Sequence, residues 1–155
     1  GASEPKKRWP PDRWAETARH LSADGLRTVL LVGPGEDSLR TEVLAHDRGN
    51  LIALERPLSV LQLACVLDRC SVALSGDTGP MHVAAAMGTP VVALFGPTDP
   101  ERHGPAGSAH IVMRGACTCV PRSPEVCSHA CMLSIQPADV ARAAAAIVRD
   151  PQRAI

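Results

Sequence analysis

A chain of 155 residues sits near the commonest size of a single domain and is long enough to bury one hydrophobic core. Sixteen basic residues balance sixteen acidic ones, which excludes a global electrostatic pull toward nucleic acid or an anionic membrane and makes any anion site a local one. Aromatics make up only 2% of the chain, namely Trp9, Trp14 and Phe95, so the core must rely on Val, Leu, Ile and Ala and there is no stacking platform for single-stranded nucleic acid.

No run reaches the roughly 18 apolar residues of a membrane span, and the start lacks the basic-then-apolar pattern of a signal peptide. The chain therefore reads as cytoplasmic. Residues 1–8 are polar and contain a proline, as in an interdomain linker or an added tag, and lead us to expect a further domain upstream. Pro10 to Asp24 starts with prolines suited to a first turn, spaces Trp14, Ala18 and Leu21 as on a helix, and stops at Gly25. Leu26 to Val32 is a buried strand broken by Gly33-Pro34-Gly35. Glu36 to His46 has helical periodicity, Asn50 to Leu54 is a short strand, and Ser59 caps a helix running to Asp68. Ser71 to Leu74 is a strand, Asp77-Thr78-Gly79-Pro80 turns into a helix ending near Met87, and Pro90 to Phe95 is the next strand. A short helical turn follows Asp99, His110 to Met113 adds a last strand, 114–136 is a Cys-rich loop, and a closing helix spans 137–149.

Short buried strands alternating with helices predict a parallel sheet covered on both faces with right-handed crossovers. The expected fold is a Rossmann-like three-layer α/β domain, a single unit over 1–155. In such sheets ligands sit beyond the carboxyl ends of the strands. There the sequence places Ser75-Gly76-Asp77-Thr78-Gly79-Pro80-Met81-His82, where glycines admit backbone amides and a helix dipole favours an anion such as a diphosphate. Thr78 and His82 supply donors. A carboxylate repels a diphosphate, so Asp77 is expected to cap the helix or to accept from a sugar hydroxyl. The next strand delivers Gly96-Pro97-Thr98-Asp99 to the same edge. Gly96 allows close backbone approach and Thr98 a hydroxyl.

The run from Asp77 to Pro90, followed by Leu94-Phe95-Gly96-Pro97-Thr98, resembles the signature of glycosyltransferase family 9, the ADP-heptose:lipopolysaccharide heptosyltransferases. Lys7-Arg8-Trp9-Pro10 is similar to the family's Lys-x-Trp-Pro, and the resemblance continues through the cysteine loop to the last helix. It implies the C-terminal, donor-binding half of a GT-B fold. On that resemblance Lys7, Thr78, Gly79 and His82 become diphosphate ligands, Asp77 a contact near the phosphate–sugar end, Glu36 a holder of the ribose hydroxyls and Leu58 an apolar contact to adenine. The implied reaction is an inverting transfer of heptose from ADP-heptose to a lipid-linked lipopolysaccharide core acceptor, at the inner face of the inner membrane. It implies no obligatory metal. The general base is expected on an N-terminal domain outside the chain, so the isolated domain should bind donor without turning it over.

Cys65 and Cys70 lie in apolar segments and are expected in the core. Cys117, Cys119, Cys127 and Cys131, with His129 among them, offer enough ligands for a structural Zn site, although the Cys-x-Cys spacing departs from the commoner Cys-x2-Cys. Zinc or an iron–sulfur cluster, disulfides and free thiols all remain open for them. Two other functional classes stay in view: a non-catalytic nucleotide or nucleotide-sugar module using the same cleft, and a metal or redox module built on the cysteines.

Overall fold

The computed structural model describes residues 7–116 and 130–150. In chain order the elements are α1 (Pro11–Ala23), β1 (Thr28–Leu30), α2 (Asp37–His46), β2 (Leu51–Ala53), α3 (Val60–Asp68) and β3 (Ala73–Gly76). They continue with α4 (Gly79–Ala86), β4 (Val91–Phe95), α5 (Pro100–His103), β5 (Ile111–Arg114), α6 (Ala130–Ser134) and α7 (Pro137–Arg149). Local chemistry accounts for the boundaries. Helices α1, α5 and α7 each open on a proline, whose fixed φ suits the first turn and whose missing N–H would have been an orphan there. Helix α3 opens on a full capping box, Ser59 accepting from the Gln62 amide and Gln62 Oε1 accepting from the Ser59 amide. Gly25 and Gly88, both at positive φ, close the turns after α1 and α4.

All paired strands are parallel, as expected for an α/β layer structure. Their ladders form two groups rather than one sheet, β1 with β2 and β3-β4-β5. Every residue of β4 is buried, and its side chains alternate between two cores. Val92 and Leu94 join Leu21 of α1, Met132 of α6 and Val140, Ala144 and Ile147 of α7 on one face. Val91, Ala93 and Phe95 join Leu67 of α3 and Met81 and Ala84 of α4 on the other. The three-layer arrangement is therefore built on β4. The β1–β2 pair is less covered: Val29 and Ile52, direct partners in register, are 40% and 50% exposed.

Three expectations need correction. The stretch 114–136, read as loop throughout, contains Arg114 at the end of β5 and the helix α6, whose Cys131 and Met132 are fully buried. Five residues are too few to display a helical period in sequence. Cys65 is exposed and Cys70 only half-buried, because α3 turns Leu63 and Leu67 inward instead. The Cys70 thiol donates to the Val66 carbonyl at 3.2 Å, and burial pushes its pKa up. Strand β1 keeps only three residues of the expected Leu26 to Val32, since its ladder partner β2 is equally short.

Candidate functional site

Residues 7–10, just before α1, are part of the folded structure. Trp9 is buried to 2% exposure, its indole N–H donates to the Ile135 carbonyl at 3.3 Å, and the Arg13 guanidinium donates to that same carbonyl. Two residues before this anchor, Lys7 lies across the carboxyl ends of β3 and β4. A Cβ on Gly76 would stand 3.9 Å from both the Lys7 and the Leu94 carbonyl oxygens. The Lys7 Nζ is 3.2 Å from Asp77 Oδ2, with side chains 20% and 12% exposed. A lysine in a polar start of the chain is thus fixed above the β3–α4 junction.

At that junction the N-cap position of α4 belongs to Thr78, in extended conformation, and no side chain caps the helix. The expectation that Asp77 caps it is overturned, since the carboxylate turns to Lys7 instead. The Thr78 hydroxyl is 3.1 Å from Ser75 Oγ, and both hydroxyls lie within reach of the Gly76 carbonyl. Ser75, read in the sequence only as the start of the glycine-containing loop, was given no role for its hydroxyl; its place three residues before Thr78 was the available signal. Gly79 opens the helix with nothing within 4 Å of where a Cβ would sit, so there is open space beside the first turn. His82, one turn in, is exposed and has no hydrogen-bond partner among the described residues. These features leave the amino end of α4 accessible to an anion, with the helix dipole favouring it and an exposed histidine in the first turn.

Glu36 sits at the N-cap position of α2 but does not cap it; its Oε2 accepts from the Gly33 amide at 2.7 Å. Gly35, at φ +77°, makes the intervening turn one that glycine alone adopts without strain. Burial pushes the Glu36 pKa up, but hydrogen bonding, the Gly33 amide included, and nearby positive charge, Arg8 included, bring it below the ordinary glutamate value. Leu58 is half-buried just before the capping box of α3, next to the exposed Val60 and Leu61.

The loop after β4 is packed under α6. A Cβ on Gly96 would meet Met132 Sδ at 2.6 Å and Cys131 Sγ at 3.2 Å, so a larger residue there would push on the side chains of α6. Thr98 Oγ1 is buried without a hydrogen-bond partner, and Asp99 caps α5 by accepting from the Glu101 amide at 3.2 Å. Among the described residues no group of three or more His, Cys, Asp and Glu side chains could hold a metal. Cys131 is buried, whereas Cys117, Cys119 and Cys127 lie outside the described residues. No helix among the described residues is long and apolar enough to cross a membrane.

The family model for glycosyltransferase family 9 (heptosyltransferase) matches residues 1–133. Lipopolysaccharide heptosyltransferase 2 of Salmonella typhimurium is 33% identical over 114 residues, which are 71% of this chain and 33% of that protein. The chain thus spans about a third of the length of the curated relatives it matches. Two solved structures superpose with a TM-score of 0.85 at 28% identity. One is a family 9 glycosyl transferase from Veillonella parvula, covering 97% of this chain and 44% of the other. The second is the ADP-heptose lipopolysaccharide heptosyltransferase II of Escherichia coli, covering 98% and 45%. On the match over 1–133 and the shared fold, the chain belongs to glycosyltransferase family 9, the heptosyltransferase family.

Proposed function

We propose that the chain is the nucleotide-sugar-binding part of an inverting glycosyltransferase that transfers heptose from ADP-heptose to a lipid-linked lipopolysaccharide core acceptor. The observation that carries this reading is Lys7 held 3.2 Å from Asp77 over the open amino end of α4. The Lys7 ammonium, the α4 dipole and an exposed imidazole one turn into the helix offer a diphosphate positive potential and donors at that end. The E. coli relative carries ADP-heptose in its name, which supports the choice of donor.

In this reading the α4 end binds the diphosphate through Lys7, Gly79 and His82, with Thr78 exchanging its Ser75 contact for a phosphate oxygen. These groups stabilise the departing nucleoside diphosphate by charge placed in advance, without an obligatory metal. Glu36, ionised at neutral pH, accepts from the ribose hydroxyls, and Leu58 lies against the adenine. Thr98 Oγ1, buried and without a hydrogen-bond partner among the described residues, meets a phosphate or sugar oxygen once the β4–α5 loop shifts to uncover it. The general base on the acceptor hydroxyl is assigned to a part of the enzyme beyond this chain, at the cytoplasmic face of the inner membrane, so the chain alone binds donor without transfer.

Calorimetric titration with ADP, UDP, GDP and NAD tests this. ADP should bind selectively, and His82→Ala should weaken it by roughly ten- to a hundredfold, the effect of one hydrogen bond to a charged group. Indifference to all four nucleotides, or to the substitution, would overturn the site. A nucleotide-binding module without catalysis predicts the same titration; it parts company only when the longer enzyme fails to transfer sugar.

A further inference from the structure

The Lys7–Asp77 pair poses an electrostatic problem for the diphosphate site. Both side chains are largely buried and their charged atoms are in contact, so each is the other's counter-ion. A diphosphate that takes Lys7 leaves a carboxylate beside its own negative charge in a partly desolvated place, where screening is weak. The chain cannot simply retreat, because Trp9 is locked onto Ile135 two residues later and Lys7 O packs against Gly76. Only the flexible end of the lysine is available to move.

Resting on the donor-site reading above, we infer that Asp77 is an internal competitor for Lys7. A nucleoside diphosphate must displace this carboxylate, and the ion pair re-forms as the diphosphate leaves. Asp77 then sets a penalty on binding of free ADP and favours its release after transfer. Discrimination here comes from a repulsive element built into the site rather than from an added contact.

The test uses ADP with the 155-residue chain. Asp77→Asn, which keeps the shape and removes the charge, should tighten ADP binding by roughly three- to tenfold, the range for a partly screened charge pair. Lys7→Met should weaken it. In the Lys7→Met background the gain from Asp77→Asn should shrink, because most of it needs the freed ammonium. Equal or weaker binding by folded Asp77→Asn, or an undiminished gain without Lys7, would overturn the inference while leaving the donor site standing. Absence of ADP binding to the unsubstituted chain would overturn both.

A second measurement needs no substitution. Lys6 and Lys7 are the only lysines, so the Lys7 ε-methylene signal is resolved by NMR against one neighbour. ADP should shift it as the ammonium changes partner; binding heat with a stationary Lys7 signal would show that the pair stays closed and would refute displacement.

Discussion

Single residues divide into those that the fold requires and those that it leaves free. Gly96 and Gly115 are of the first kind. A Cβ on Gly96 meets the thioether end of Met132, a side chain that can shift, whereas one on Gly115 would overlap the Cys131 carbonyl oxygen, which moves only with the whole of α6. Gly96→Ala should therefore cost about 1 kcal/mol and Gly115→Ala about 3 kcal/mol, the two ends of the overpacking range, when compared by urea denaturation. Near-equal losses would mean that α6 yields as easily as a methionine tip. Gly79, with open space around it, is of the second kind. The sequence alone made Gly79 and Gly96 look alike, two glycines after two strands, and a ligand role was read into both. Only the tertiary position of α6 separates them. The same limit applies to Asp77: its repulsion from a diphosphate was legible from charge, but its partner, 70 positions away, was not.

At the scale of elements, the legible features were those with local chemistry. The range of α7, the Ser59 cap of α3 and the alternation of strand and helix were all read near their observed places. Short or non-local elements were not: α6 lacks the length to show a period, and the split between β1–β2 and β3-β4-β5 depends on ladder contacts that no local pattern records. One connection carries a pH dependence. Asp47, after α2, accepts from the amides of Gly49, Asn50 and Leu51 and so shapes the entry into β2. Burial raises its pKa, but these backbone hydrogen bonds lower it more, and the net value lies below that of an ordinary aspartate. The unfolded chain then binds the proton more readily than the native one. The stabilisation is complete above the unfolded pKa and disappears as pH falls through the lower native value. Asp47→Asn should cost about 1 kcal/mol at pH 7, with the difference from the unsubstituted chain narrowing below about pH 4. A gap in denaturation midpoint that is constant with pH would count against the carboxylate.

The whole molecule is tied together where its described ends meet. Helix α1 packs on α7, Trp9 and Arg13 both donate to the Ile135 carbonyl at the α6–α7 corner, and Asp24 faces Arg149 at 3.4 Å. The last pair is exposed and contributes little. The buried tryptophan matters more, because the lysine over α4 is placed by it. Trp9 and Trp14 stand edge to face with centroids 4.9 Å apart, and the chain has no tyrosine. Its near-ultraviolet optical signal therefore comes almost wholly from one coupled indole pair at the seam between the first and last helices. Native protein should emit at short wavelength from that dry seam and show a paired-chromophore band in circular dichroism. Loosening of the seam should erase the band and redden the emission together, giving an unlabelled spectroscopic gauge of whether the lysine's anchor is in place.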